Sequence, residues 1–160
     1  MYVTGDRVGD GILKFPVIRA FKENNSKSKL IWVTEKNPSV FFRSLADLGR
    51  RYLDEIHENT NIASLFKKDK LLPRTHFDTI ICTENNILKT LILKRIKARK
   101  FISPAADFLF SSSRPYESYM NQSVYERFLN LMNLASDRPL LPEFSIPIPK
   151  IYLDFAEDRL

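Results

Sequence analysis

The sequence is poor in the residues that mark several common classes of protein. It has one cysteine, Cys82, so an intrachain disulfide is excluded. The two histidines, His57 and His76, have no spacing that indicates a metal site with Cys82, and we expect no bound structural metal. Cys82 lies in an apolar run, where a cysteine usually behaves as a small hydrophobic residue rather than as a nucleophile.

Long apolar runs are also missing from the sequence. No stretch approaches the roughly 20 residues that cross a bilayer, and the N-terminus has no basic segment followed by an apolar one. We therefore expect no secretory signal and a cytoplasmic location. The net charge is +6. A basic surface can face nucleic acid, anionic lipid or phosphorylated substrates, and the charge alone does not choose among them.

Strand-like and helix-like segments alternate along the chain. The strand candidates are short apolar runs, and the helix candidates carry apolar residues at helical spacing. This alternation predicts an α/β domain with a parallel sheet and helices on both faces. The expected strands lie at 1–4, 30–33, 77–82, 100–103 and 143–146, with one more short strand within 52–57. The expected helices lie at 12–21, 38–48, 62–72, 86–96 and 121–135.

The turn between the first expected strand and the first expected helix carries three glycines. Its ligands would lie at the carboxyl ends of the strands. Gly5, Gly9 and Gly11 do not have the G-x-G-x-x-G spacing, and no Lys-Ser/Thr pair follows them as in a Walker A loop. Asp10 remains, at the N-terminus of the helix, where the dipole favours a carboxylate. Such a carboxylate is suited to accept a proton or a hydrogen bond from a sugar hydroxyl. The alternative is that it only caps the helix. From the turn alone the cap is the favoured interpretation.

A longer run, residues 6–22, reads D-R-V-G-D-G-I-L-K-F-P-V-I-R-A-F-K. It resembles the opening of glycosyltransferase family nine, the heptosyltransferases of lipopolysaccharide core assembly. Members open with a strand and a D-R-I-G-D-like turn, followed five residues later by proline and an R-A-L-K-like helix. The chain departs from the family at 85–86, where members often carry Q-G or Q-N, and at 100–103, where a glycine usually follows the strand. Later segments similar to the family, in the family's order, are 30–35, 52–56, 77–81 and 122–129.

This resemblance implies a Rossmann-like domain that forms one half of a two-domain GT-B architecture. Residues 1–149 would bind the acceptor, a lipid-linked oligosaccharide, and residues 150–160 would start the linker toward a C-terminal donor domain that this chain lacks. The implied reaction moves a sugar, heptose above all, from a nucleotide-sugar to a lipopolysaccharide core acceptor with inversion. It needs no metal or other cofactor, and this chain alone is expected to be inactive.

The resemblance also implies roles for single residues of the turn. Asp10 matches the proposed general base, which would deprotonate the attacking acceptor hydroxyl. Gly9 and Gly11 would let the acceptor approach the backbone. Arg7 would meet phosphates or carboxylates of the acceptor.

An alternative is a non-catalytic α/β binding module, or a decayed fragment, that docks a partner protein or the inner face of the cytoplasmic membrane. The basic run 67–70 and the helix face at Lys89, Lys94, Arg95 and Lys97 would serve such docking, although most basic faces are simply solvated. Nucleic-acid binding ranks last. It needs exposed aromatic rings among the basic residues, whereas most phenylalanines here lie in apolar runs.

Overall fold

The computed structural model describes residues 1–3, 5, 7–62, 76–116 and 118–145. Every strand pairing in this part is parallel. The predicted α/β class is therefore confirmed. The strands are β1 (Tyr2–Val3), β2 (Ile31–Thr34), β3 (Glu55–His57), β4 (Phe77–Ile81) and β5 (Ala98–Ile102). The α-helices are α1 (Val8–Asn24), α2 (Ala46–Tyr52), α3 (Ile87–Leu93) and α4 (Val124–Ala135), with a 3₁₀ turn at Val40–Phe42.

The strands lie in the order β3-β2-β1-β4-β5. β1, β2 and β3 form one sheet, and β4 pairs with β5 in another. A parallel bridge between Tyr2 and Cys82 joins the two sheets. The backbone N–H of Thr83 also donates a 3.1 Å hydrogen bond to the Tyr2 carbonyl oxygen. The direction of strand addition reverses between β1 and β4, which is the Rossmann-like arrangement and the place where such folds bind ligands.

Helices cover both faces of the sheet, as predicted. Alternate residues of a strand point to opposite faces, and two separate hydrophobic clusters result. Trp32 at the centre of the larger cluster is fully buried, with ring centroids 5.1 Å from Phe41 and 6.5 Å from Phe128. The larger cluster joins Val3, Trp32, Ile81 and Ile102 of the strands to Phe15 and Ile18 of α1 and Phe128 and Leu131 of α4. The smaller joins Tyr2, Val33, Ile80, Cys82 and Phe101 to Leu93 of α3.

The first helix starts earlier than the sequence analysis placed it. α1 begins at Val8, so Gly9, Asp10 and Gly11 form its first turn rather than an open loop. The N–H of Gly11 donates a 2.9 Å hydrogen bond to the Arg7 carbonyl oxygen, so the helical hydrogen bonds start at this glycine. Pro16 lies inside the helix, where its missing N–H removes the hydrogen bond to Ile12. The helix nevertheless continues to Asn24.

The helix predicted at 38–48 is wrong. The chain instead makes the 3₁₀ turn, where the Ser39 hydroxyl accepts a hydrogen bond from the Phe41 N–H, and then starts α2 at Ala46. Gly49 of α2 lies so close to Phe41 that an added Cβ would be 2.0 Å from the Phe41 carbonyl oxygen. This close contact ties the turn to α2 and replaces one continuous helix by two short ones.

Two further predictions need correction, and several lie outside the described residues. The helix predicted at 86–96 is shorter, Ile87–Leu93. Its predicted apolar side consists of Ile87, Leu88, Leu91, Ile92 and Ile96. Ile92 is buried as predicted, but Ile87, Leu88 and Leu91 are exposed, and Thr90 and Leu93 are buried instead. No strand forms at 143–145, the described part of the run predicted at 143–146. The helix expected at 62–72 lies outside the described residues except for Ile62. The basic run 67–70 and the linker at 150–160 lie outside them entirely.

The segment after β5 covers the open edge of that strand. The Ser112 N–H donates a 2.7 Å hydrogen bond to the Phe101 carbonyl, and the Ser112 hydroxyl accepts from the Phe101 N–H at 3.0 Å. Before it, Ala106, Asp107 and Phe108 all have left-handed backbone conformations, with φ of 51°, 52° and 62°. Three consecutive non-glycine residues in this region store backbone strain. At Phe101, therefore, the edge of β5 is paired rather than bare.

Within the part of the chain that the structure describes, no helix has the length and apolar character required to cross a membrane.

The close contact at Gly49 predicts a large effect of one added methyl group. Gly49→Ala should lower the free energy of unfolding by about 1–3 kcal/mol, because the new Cβ meets the rigid Phe41 carbonyl. Gly9→Ala is the matched control. Nothing lies within 4 Å of a Cβ built there, so alanine should leave stability unchanged or raise it by up to roughly 1 kcal/mol. Urea unfolding of both variants measures the difference, and equal effects would contradict the packing.

The left-handed turn predicts a stabilising glycine. Ala106→Gly removes the steric cost of a positive φ and should raise the free energy of unfolding by roughly 0.5–1 kcal/mol, net of the added flexibility of the unfolded chain. The same substitution at Ala46, the first residue of right-handed α2, should instead be destabilising by up to about 1 kcal/mol. A thermal unfolding series in which both variants lose stability would count against the left-handed turn.

Candidate functional site

The first turn of α1 carries the residues that the resemblance singled out. Asp10 is the third residue of the helix and is partly exposed. Its Oδ2 accepts a hydrogen bond from the backbone N–H of Arg7, the residue before the helix, at 3.4 Å. This hydrogen bond supports the interpretation of Asp10 as a helix cap. The bond is long and uses one of the two carboxylate oxygens. It holds the Asp10 carboxylate at the carboxyl edge of the sheet.

The other predicted site residues divide between the surface and the core. Arg7 and Gly9 are exposed, and the space beside the Gly9 backbone is open. Gly11 is buried, and a Cβ there would lie 2.6 Å from Val40 Cγ2 and 2.8 Å from Leu45 Cδ1. The structure thus brings Arg7, Gly9 and Asp10 together on the exposed side of the turn. It places Gly11 against the chain itself, where its lack of a side chain serves packing.

A nearly buried ion pair lies at the same edge of the sheet, and the sequence analysis did not single it out. Glu35 directly follows β2 and is 8% exposed. Its Oε2 lies 2.7 Å from Nζ of Lys89, in the first turn of α3. Since β1 lies between β2 and β4 in the sheet, the pair connects the loop after β2 to the helix after β4, across β1. The sequence signal was a glutamate after a buried strand, but only the strand order shows which lysine meets it.

Charge and burial act in opposite directions on Glu35. Burial alone would raise the pKa of its carboxyl, but its neighbours, Lys89 first and then Tyr2 and Lys36, together outweigh burial and hold the pKa below its ordinary value of 4.5. Tyr2, on β1 beside them, has a pKa raised above its usual range, mainly by burial and then by Glu35. At neutral pH the edge therefore holds the Glu35 carboxylate and the neutral phenol of Tyr2.

Polar contacts anchor the loops that follow β2 and β3. The hydroxyl of buried Thr60 donates to the Thr34 carbonyl at 3.0 Å, and the backbone N–H of Thr60 donates to the same oxygen at 3.0 Å. The N–H of Ser39 donates to the Glu58 carboxylate. These contacts join the end of β2 to the loop after β3. The carboxyl edge is thus built from loops that are fixed by hydrogen bonds.

Cys82 behaves as the sequence analysis expected. It is fully buried, and burial raises the pKa of its thiol to about 11. The thiol is therefore protonated at neutral pH and is a poor nucleophile. Near it the hydroxyls of Thr90 and Ser103 are 2.8 Å apart, which joins α3 to the end of β5. In the described residues, no three His, Cys, Asp or Glu side chains come together as metal ligands.

Comparisons of the chain with models of known protein families, with curated proteins and with solved structures find no significant match. The function is therefore inferred from the residues and their geometry.

The Glu35–Lys89 pair predicts a pH-dependent contribution to stability. Lys89→Met leaves the Glu35 carboxylate nearly buried without its ammonium partner. The free energy of unfolding at neutral pH should fall by about 2 kcal/mol, between the values for exposed and buried pairs. Because the folded-state pKa of Glu35 is lowered, the contribution of the pair is complete above about pH 4.5 and is lost as the pH falls through the folded pKa.

Urea unfolding of wild type and Lys89→Met at neutral pH and near pH 3.5 tests this expectation. The difference between the two proteins should shrink at the lower pH. Arg50→Met is the control, since it breaks the exposed pair of Arg50 with Asp47 and should change stability little at either pH. A difference for Lys89→Met that does not vary with pH would show that the side chain stabilises by packing alone.

Proposed function

We propose that this chain is the N-terminal, acceptor-side part of an inverting glycosyltransferase. The complete enzyme would move a sugar, heptose above all, from a nucleotide-sugar to a lipopolysaccharide core acceptor. The substrate class is what the resemblance of residues 6–22 to glycosyltransferase family nine implies, and the structural observation that supports the proposal is the position of Asp10. It is a partly exposed carboxylate in the first turn of the helix after β1, beside the point where strand addition reverses. Parallel α/β sheets bind their ligands at this edge.

The proposed reaction requires the turn to accept a proton and to bind the acceptor, and its residues suit both tasks. Asp10 would accept the proton of the attacking acceptor hydroxyl, which makes that oxygen a better nucleophile. The Arg7 N–H orients the carboxylate through Oδ2. The open space at Gly9 leaves room for the acceptor, and the exposed guanidinium of Arg7 suits a phosphate or carboxylate on it. The donor would bind to a second domain.

A non-catalytic α/β binding module is the second candidate. The hydrogen bond from Arg7 to Asp10 favours it, because this contact gives Asp10 a structural reason to be present. The two candidates differ in what the loss of the Asp10 charge does. A cap survives replacement by asparagine, whose side-chain oxygen still accepts the hydrogen bond. A general base does not.

Asp10→Asn therefore separates catalysis from capping. The assay mixes this chain, or a fusion of it, with a donor domain from glycosyltransferase family nine and supplies a lipid-linked core acceptor and a panel of nucleotide sugars. We expect transfer by the wild-type chain, a loss of roughly 10²–10⁴-fold in the variant, and an unchanged unfolding midpoint. Asp47→Asn, at the acidic first-turn position of α2, should keep full activity.

Two outcomes would count against the enzyme. Near-normal turnover of Asp10→Asn would remove this residue from the mechanism. Absence of transfer with the wild-type chain, while the acceptor still binds, would favour the binding module.

A further inference from the structure

The outer side of α3 exposes apolar residues to solvent. Leu88 is 57% exposed, and Ile87 and Leu91 are exposed as well. These three positions share one side of a helix, since residues i, i+1 and i+4 fall within about 100° of each other. The opposite side holds the helix in place through Leu93, Thr90 and the Lys89–Glu35 pair. Contiguous exposed apolar surface is uncommon on a domain without a partner.

The segment after β5 contacts both ends of α3 and places two further exposed apolar residues near them. Near the start of the helix, the Asn85 side-chain nitrogen is 3.9 Å from the sulfur of exposed Met120. Near its end, the Lys94 ammonium donates to the Phe110 carbonyl at 3.0 Å, and Leu109 beside Phe110 is 73% exposed. We call the five residues Ile87, Leu88, Leu91, Leu109 and Met120 the α3 surface.

Positive charge flanks the α3 surface. Residues 84–116 contain seven lysines and arginines against two acidic residues. Two of these basic side chains, Lys89 and Arg99, have carboxylate partners in Glu35 and Asp78. Lys94, Arg95 and Lys97 at the end of α3 are exposed, and none of them pairs with a carboxylate among the described residues. Apolar exposure and uncompensated positive charge therefore coincide.

We propose that the α3 surface binds the face of an anionic lipid bilayer. Its aliphatic side chains would enter the boundary between headgroups and acyl chains, and the flanking basic side chains would meet anionic headgroups. A second copy of the chain fits poorly, because the unpaired Lys94, Arg95 and Lys97 beside the surface would repel the same residues of the other copy. Nucleic acid fits poorly too, because the centre of the surface is aliphatic and offers no ring on which a base can stack.

The test is co-sedimentation of the full chain with lipid vesicles. We expect binding to vesicles of phosphatidylcholine mixed with phosphatidylglycerol, weaker binding as salt rises, and little binding to phosphatidylcholine alone. Leu88→Asp should lower the partition coefficient at least about tenfold, since it removes one inserted leucine. Arg95→Gln and Lys97→Gln should each lower it about fivefold.

Matched controls separate the surface from general effects. Leu141→Asp makes the same change at a leucine that is 85% exposed and lies outside the α3 surface, and it should bind like wild type. Circular dichroism and thermal unfolding check that each variant is folded. If Leu88→Asp fails to fold, the milder pair Ile87→Gln and Leu91→Gln takes its place, with the same expected loss.

Several results would overturn the proposal. These are absence of vesicle binding by the wild-type chain at low salt, binding that does not depend on the anionic lipid, and a folded Leu88→Asp that binds as well as wild type. Self-association of the chain that Leu88→Asp abolishes would instead assign the surface to a second copy. Binding of a single-stranded oligonucleotide, without binding of vesicles, would assign it to nucleic acid. No sugar transfer is measured, so the result is independent of the proposed function.

Discussion

Two residues, Tyr2 and Val3, hold the sheet together. They pair with β2 on one side, and on the other the Tyr2 carbonyl accepts hydrogen bonds from both the N–H and the hydroxyl of Thr83. The two side chains point to opposite faces, so each hydrophobic cluster contains one of them. Because buried backbone groups must be paired, these few hydrogen bonds determine where the loops after β1, β2 and β4 meet. The geometry of the candidate site depends on this short strand.

Most strands were predictable because a buried parallel strand is rich in apolar and β-branched residues, as in Ile31–Thr34. The run at 143–146 shows that such a pattern alone is not sufficient. Helix details were less predictable, because they depend on contacts between distant parts of the chain. Gly49 is needed only because α2 packs against the Phe41 carbonyl. On α3, Ile92 is buried as its spacing predicts, but Leu88 and Leu91 are exposed. Thr90 is buried in their place, since its hydroxyl is paired with that of Ser103, the residue after β5.

The candidate site was predictable where its residues are neighbours in sequence. Arg7, Gly9 and Asp10 form one helical turn, so a motif can contain them. Glu35 and Lys89 are 54 residues apart and meet only because β1 inserts between the strands that precede them. Burial of Gly11 has the same origin, since it depends on Val40 and Leu45. A local pattern therefore identifies the proposed base, whereas the surroundings of the base require the fold.

Helix α3 lies between the candidate site at the carboxyl edge of the sheet and the exposed α3 surface. A seven-residue helix is marginal by itself in water, so its position rests on the Lys89–Glu35 pair, the Thr90–Ser103 contact and the burial of Leu93. The same helix starts at the carboxyl edge and turns Leu88 outward. If a bilayer covers that outer side, a lipid-linked acceptor held in the membrane would lie beside the edge that carries Asp10. Membrane contact and acceptor binding would then depend on one small element, which the buried ion pair holds in place.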